Sequence, residues 1–363
     1  LREHGIEGSI GVTTGRAFYG DSGGSNRRRL GLVGTPVNLA ARLMSAAHGR
    51  VLCDAEVRRN APRYTCSVLP PMTLKGIEVP VPVFEPRARA DRQMLRFERG
   101  LVGRAPERAR IADDLHRLQL GQGGMLAVTG EAGIGKSRLL AEAVRLAHAQ
   151  GAEVLTAAGS AMEPATPYFP WRRVLEQLLP GQPAQRIAFL RQQLRDDERR
   201  EPWLPLLEAI VPLGLPPTEV TRHMDSAGSA LAIQELVCEL LARRAAGRPM
   251  LLVLDDLHWI DAASCALLQV VHDKLPQLLI MVGARPAEHA VVPQVGQMLQ
   301  SLRATLRLDT LDRDAIHDLA CLTLEVRQVP PELVNFLWTR AGGHPFYIEE
   351  LLTALRSADR PAG

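Results

Sequence analysis

Three sets of residues in this chain have types and spacings suited to chemistry on phosphates. The stretch GEAGIGKS, residues 130–137, fits the pattern G-x-x-x-x-G-K-[ST] at Gly130, Gly135, Lys136 and Ser137, with Gly133 between them. Glycines let a backbone curl until its N–H groups point at phosphate oxygens, and a following helix adds its positive N-terminal end. In such a loop the lysine, Lys136, reaches the β- and γ-phosphates, and the Ser137 hydroxyl is a ligand for Mg²⁺. Arg138 follows directly. The second set is Asp255 and Asp256, closing the apolar run LLVLDD. Asp255 suits Mg²⁺ held through water and Asp256 suits the polarising of an attacking water; two acids at that point also suit the capping of the next helix. Arg285, just past another apolar run, carries the charge to sense a γ-phosphate; an ordinary surface arginine in its GARP turn is the alternative. The third set is Asn38 and Arg42, four residues apart and so on one face of a helix. An amide offering donor and acceptor beside a rigid cationic fork can hold a ribose oxygen and offset charge on a phosphate under attack. A solvated helix face is the plain alternative.

The elements around these residues follow from pattern. GGMLAVTGEAGIGKSRLLAEAVRLAHAQG (123–151) reads as strand, glycine loop and helix. PMLLVLDDLHWID (249–261) and LPQLLIMVGARP (275–286) contain unbroken apolar strands, which alternate with helices only in a parallel sheet covered on both faces. Residues 228–249 read as a helix with Ile233, Leu236, Val237, Leu240 and Leu241 on one face, and 211–229 as a Pro/Gly-rich loop. Residues 8–84 alternate short strands with turns. Thr35 reads as an N-cap with Pro36 at the first helical position, and the helix runs to about Ala47 before Gly49. Val37, Ala40, Ala41 and Met44 recur at helical spacing and are expected to form its buried face. MTLKGIEVPVPVFEP (72–86) reads as a strand, a Lys-Gly turn and a second strand whose prolines place it at a sheet edge.

Composition bounds the rest. A chain of 363 residues suffices for two or three domains. The formal charge of +3 does not by itself imply a nucleic-acid partner, and the arginine runs NRRRL (26–30) and RDDERR (195–200) read as solvated faces. The five cysteines are far apart and include no C-x-x-C, which fits a reducing compartment and a cytoplasmic location. No apolar run approaches the roughly 20 residues that span a membrane. The chain opens at Leu1 within a running element, so a fragment beginning inside a domain is expected.

Two resemblances become specific on these motifs. GLVGRAPERARIADDL (100–115), the glycine loop, LLVLDDLHWID, GARP and GGHPFYIEELL (342–352) resemble the STAND signal-transduction ATPases, a branch of the AAA+ group, over roughly residues 98–355. The resemblance implies a slow, ATP-driven switch with Mg²⁺. In it Arg104 of the VGR segment and Pro345 of Gly343-His344-Pro345 flank the adenine, and Gly130, Gly133, Gly135, Lys136, Ser137, Arg138 and Arg285 bind the nucleotide. Residues 8–49, followed by MTLKGIEVPVPVFE (72–85), are similar to the C-terminal half of class III adenylate/guanylate cyclase domains, closest to the soluble adenylyl cyclase type, in which cyclase domains precede such an ATPase. There the Asn and Arg of V-N-x-A-x-R, matched by Asn38 and Arg42, orient ribose and stabilise the transition state, and the turn lysine, matched by Lys75, contacts the triphosphate. The pattern departs at Gly31, where the family usually places Asp or Thr to read the purine edge. Its two metal-binding aspartates would precede Leu1; within residues 1–90 only Asp21 and Asp54 occur, neither in a matching motif.

The resulting expectation is an α/β chain. A partial ferredoxin-like α+β cyclase half-domain (1–86) and a linker (87–97) precede a P-loop parallel-sheet ATPase domain (98–310) and a truncated helical lid-type part (311–363). The expected activity of the intact protein is formation of cyclic AMP from ATP, coupled to the ATPase switch and requiring a second cyclase domain in cis or by dimerisation. A degenerate cyclase remnant on an ATP-binding regulatory switch, or a transcription regulator, is the alternative.

Overall fold

The computed structural model describes residues 8–22, 29–61, 64–77, 79–89, 100–163, 166–197, 199–302 and 304–358. The expected linker from residue 90 onward and Asn26–Arg28 of the basic run lie outside them. The chain divides into two compact units, Leu1–Gln93 and Met94–Gly363.

In the first unit, β1 (Ile10–Val12), β4 (Val51–Asp54), β6 (Val83–Arg89) and β5 (Tyr64–Val68) form a mixed sheet in the order β1-β4-β6-β5. The pair β1–β4 is parallel and β6 is antiparallel to both its neighbours. A separate hairpin joins β2 (Phe18–Ser22) and β3 (Arg29–Val33), with Gly31 opposite Gly20. The helices are α1 (Thr35–Ala46) and α2 (Ala55–Asn60). Three sequence expectations change here. The N-cap of α1 is Gly34, not Thr35, and no side chain caps it. The buried stripe of α1 is Leu43 and Ala47, with Leu39 and Ala46 packed beside them, while Ala41 and Met44 are exposed. Leu39 and Leu43, four residues apart, bring the leucine side of the helix into the core, while Val37 and Ala40 are half-buried at its margin. Finally, β6 is interior rather than an edge: Pro80 and Pro82 precede the strand, where only a single bridge joins Met72 to Val81. Pro86, inside it, pairs with Cys66 where the register slips between Thr65 and Cys66, so its missing N–H falls at an irregularity of the ladder.

The second unit is built on five parallel strands, β7 (Gly124–Thr129), β8 (Glu153–Ala158), β9 (Met250–Asp255), β10 (Leu279–Ala284) and β11 (Thr305–Arg307), in the order β11-β7-β10-β9-β8. Successive strand residues point to opposite faces, and both faces are dry. Leu252, Leu254, Ile280 and Val282 enter one core; Leu251, Val253, Leu279 and Met281 enter the other. The second face is covered by α3 (Ala105–Gln119) and α4 (Lys136–Ala149). The first is covered by α5 (Phe169–Leu178), α6 (Pro183–Leu194), a 3₁₀ segment Glu201–Ala209, α8 (Ser226–Ala245), α9 (Ala262–Lys274) and α10 (Pro293–Ser301). All five apolar residues expected on α8 are buried. The expected loop 211–229 contains a one-turn helix, α7 (Glu219–Arg222), started by a Thr218–Thr221 capping box. Last come α11 (Arg313–Leu324), α12 (Pro331–Ala341) and α13 (Pro345–Ala358), with a hydrophobic core of their own. Among the described residues no helix is long and apolar enough to cross a membrane.

Candidate functional site

The sheet order creates the site. From β7 the chain crosses to β8 at the far edge and returns to lay β10 beside β7, so the loops diverge where the order reverses. A crevice outside the carboxyl ends of the strands is the expected result. The glycine loop leaves β7 there and ends as α4 begins at Lys136. Gly133 and Gly135 have φ of 79° and 108°, in the left-handed region that a side chain would strain. The curl also brings the loop against the helical part, since a Cβ on Gly133 would stand 2.8 Å from Phe346 Cβ and 3.0 Å from His344 Cε1.

Lys136 is buried, and its Nζ folds back to donate to the carbonyls of Gly130 at 2.8 Å and Glu131 at 2.7 Å. Burial pushes its pKa below the usual lysine value, against the opposing pull of Asp255 and Asp256. Asp255 is buried at the end of β9, and burial, reinforced by Asp256, raises its carboxyl above the usual range. It accepts from the Ser137 hydroxyl and, at 2.8 Å, from the Asp256 N–H. Gly283 of β10 makes room for it: a Cβ there would lie 2.4 Å from Asp255 Oδ1. A glycine within an apolar strand is the signal that could have marked this close approach from sequence. Asp256 itself has φ of 52°, an uncommon conformation for a residue with a side chain. Its carboxylate makes no cap hydrogen bond to the 3₁₀ turn it opens, and its charge acts on Lys136; the cap of α9 is Asp261, which accepts from Ser264 N–H.

The remaining expected residues divide. Arg285 follows β10, and its N–H donates to His258 Nδ1 at 3.5 Å. His258 is a buried neighbour of this site that the sequence motifs did not mark. Arg104, with φ of 61°, spends its guanidinium on Glu107 and on the carbonyls of Ile134 (3.3 Å) and Asp309, fastening the loop to the end of β11. Arg138 forms an ion pair with Glu349 of α13, tying α4 to the helical part. Pro345 opens α13 directly after His344. The structure thus gathers Arg104, Gly130, Gly133, Gly135, Lys136, Ser137, Asp255, Asp256 and Arg285 in one unit, around the carboxyl ends of the strands. Asn38 and Arg42 lie in the other unit, one turn apart on α1 and exposed, and Lys75 is exposed in the turn after Leu74. Among the described residues no hydrogen bond or ion pair joins these three. Asp54 is occupied as the N-cap of α2, accepting from Val57 N–H at 2.8 Å.

Comparison with known proteins extends this picture. The chain is similar to adenylate cyclase type 10 of Mus musculus, 26% identical over 367 residues that cover 96% of this chain and 22% of that protein. It therefore spans about a fifth of the length of the curated relatives it matches. Among solved structures, adenylyl cyclase CyaB from P. aeruginosa is 29% identical over 22% of this chain and 41% of its own, with a TM-score of 0.21. A STAND protein with a tetratricopeptide repeat sensor from Pyrococcus horikoshii is 16% identical over 69% of this chain and 29% of its own, with a TM-score of 0.36. Residues 313–359 match a domain of unknown function (DUF8739). Residues 100–282 match the family described as AAA ATPase domain, which takes in the glycine loop, both acids and the strands that carry them. The protein belongs to the AAA ATPase domain family.

Proposed function

We propose that the second unit binds ATP with Mg²⁺ and hydrolyses it slowly, working as a nucleotide-driven switch. The observation that carries this reading is the meeting of the glycine loop, Lys136, Asp255 and Asp256 at the carboxyl ends of β7 and β9. The first N–H groups of α4 have no intrahelical acceptors, so they and the loop N–H groups are free to receive phosphate oxygens. Lys136 exchanges the Gly130 and Glu131 carbonyls for the β- and γ-phosphates. A buried ammonium whose pKa is depressed by desolvation gains most from a polyanion brought beside it. The Ser137 hydroxyl and the Asp255 carboxylate are hard oxygen donors in contact, a set that fits Mg²⁺. When bound, that ion offsets the negative charge of the phosphates. Asp256 orients and polarises the attacking water, and Arg285 faces the terminal phosphate. Arg104, Arg138 and Pro345 hold the loop, α4 and α13 around the nucleotide. If Asp256 has this role, Asp256→Asn should still bind ATP while phosphate release falls about 100-fold or more, the scale on which a positioned base acts. Equal release by variant and parent would return Asp256 to a structural role.

A second reading concerns the first unit in the intact protein, where we assign Asn38, Arg42 and Lys75 to formation of cyclic AMP from ATP against a second cyclase domain. Its support is the exposed side of α1 on which Asn38 and Arg42 stand one turn apart, in a unit that also leaves Phe18, Val33 and Met44 uncovered. Uncovered apolar side chains in the same unit as two exposed hydrogen-bonding groups suit a surface that another domain covers. In the intact protein Arg42→Ala should abolish cyclic nucleotide formation and leave phosphate release at Lys136 unchanged. The loss should fall on kcat, because an arginine at developing charge acts in the transition state. Absence of any cyclic nucleotide from the parent, with Mg²⁺ or Mn²⁺, would leave the ATP-binding switch alone, with Gly31 at the purine-reading position as the physical reason.

A further inference from the structure

The start of α13 lies along the glycine loop, and two contacts place it there. At one end Gly133 is pressed against the helix: a Cβ on it would stand 2.8 Å from Phe346 Cβ and 3.0 Å from His344 Cε1. At the other end Arg138 forms its ion pair with Glu349. Phe346 and Glu349 are three residues apart and so share one face of α13. That face spans the loop from Gly133 to Arg138, the third residue of α4, and Gly135, Lys136 and Ser137 lie between those two points. A further tie comes from the segment before α3. Arg104 donates to the carbonyl of Ile134 at 3.3 Å and to that of Asp309, which leads into the helical part. In the same segment Val102 packs into the helical core and Leu101 into the core under α3 and α4.

The seat of α13 on the loop is light. The helical part keeps an apolar core of its own, and Phe346 at the seam is 49% exposed. The side chains of Arg138 and Glu349 are 21% and 26% exposed, and an ion pair still reached by water contributes modestly to stability. Its geometry matters more than its strength. A loop pinned at both ends holds its N–H groups in place before a phosphate arrives, and less ordering remains to be done on binding. Resting on the ATP-binding reading, we infer that Glu349 is a positioning residue for the nucleotide. Through Arg138 it holds the first turn of α4, and with it the loop, in the curl that receives phosphate. Such coupling is reciprocal: by whatever factor the seated helix favours nucleotide, nucleotide favours the seated helix. The helical part is thereby the element that registers whether the loop is filled, and Glu349 is the side chain through which it does so.

The test is calorimetric titration of the 363-residue chain with Mg²⁺ and either ADP or the non-hydrolysable β,γ-methylene analogue of ATP. Glu349→Gln keeps the size of the side chain and removes its charge. It should weaken both nucleotides alike, by about fivefold, the scale of one partly exposed ion pair. In an Arg138→Gln background the same substitution should change neither affinity, because Glu349 then has no cation to hold. Amide hydrogen exchange supplies a readout that packing alone would not move. Bound nucleotide should slow exchange in residues 313–358 of the parent and leave it unchanged in Glu349→Gln. Unchanged affinity in Glu349→Gln, or an equal loss in both backgrounds, would overturn the inference while leaving ATP binding intact. So would a helical part whose exchange responds to nucleotide in the variant as it does in the parent. A parent chain that binds neither nucleotide would remove the ATP-binding reading itself, and this inference with it.

Discussion

Lys136 shows how far single residues could be read in advance. The glycine spacing, the lysine and the serine define a phosphate loop through the types such a loop requires, so Gly130, Gly133, Gly135, Lys136 and Ser137 were legible from pattern alone. The pair Asp255–Asp256 was legible too, because a run of continuous apolar residues that closes on two acids marks the end of a buried strand, here at Asp255. Contacts made across the fold were not legible. Nothing local says that Arg138 pairs with Glu349, that Arg104 holds the carbonyls of Ile134 and Asp309, or that Gly283 clears space for Asp255. His258 was illegible for the same reason, since its environment is assembled from the ends of two strands. That environment makes a prediction. A histidine whose folded pKa is depressed contributes stability that is present above its unfolded pKa near 6.5 and is lost as pH falls toward its folded value of about 4. From pH 7 to pH 5 its share of the loss is about 2 kcal/mol, because each pH unit crossed between the two pKa values is worth about 1.4 kcal/mol. Urea unfolding at the two pH values should show the parent losing about that much more than His258→Gln. Equal losses would place His258 in a more solvated setting than the structure gives it.

At the scale of elements, the strands of the second unit followed from their unbroken apolar runs, but their order did not. The sequence tells that β7, β9 and β10 are buried on both faces. That β10 inserts between β7 and β9 is decided by crossover packing over the whole unit. In the first unit the existence of α1 was legible from Thr35-Pro36 and Gly49, yet its rotation was not. Both candidate stripes have helical period, and only the sheet beneath chooses between them. The choice is enforced by Gly11 of β1, where a Cβ would stand 2.1 Å from the Ala40 carbonyl oxygen and 2.6 Å from Met44 N. Gly11→Ala must therefore lift α1 from the sheet, carrying Asn38 and Arg42 with it. The expected cost is about 1–3 kcal/mol, the range for overpacking a closed contact. Thermal unfolding of the variant should show the first unit melting earlier and the second unit unchanged. A first unit as stable as in the parent would mean that β1 and α1 are not seated as described.

Over the whole molecule, the chain joins two units that differ in kind. One is a small mixed sheet with an exposed helix face bearing Asn38 and Arg42; the other is an open parallel sheet of the AAA ATPase family, covered on both faces, with a separate helical core after it. The adenylate cyclase type 10 of Mus musculus that the chain resembles aligns with both units, over 96% of this chain and 22% of that protein. The central claim is that the second unit is driven by ATP at Lys136, and it can be tested without the remainder of any longer protein. Lys136→Ala removes an ammonium that is buried beside the loop and offers the phosphates nothing in return. Calorimetric titration of this chain and the variant with Mg²⁺ and the β,γ-methylene analogue of ATP is the most direct measurement. The account predicts saturable binding by the parent and affinity lower by tenfold or more, at least about 1.4 kcal/mol, in the variant; equal affinity in the two would contradict it.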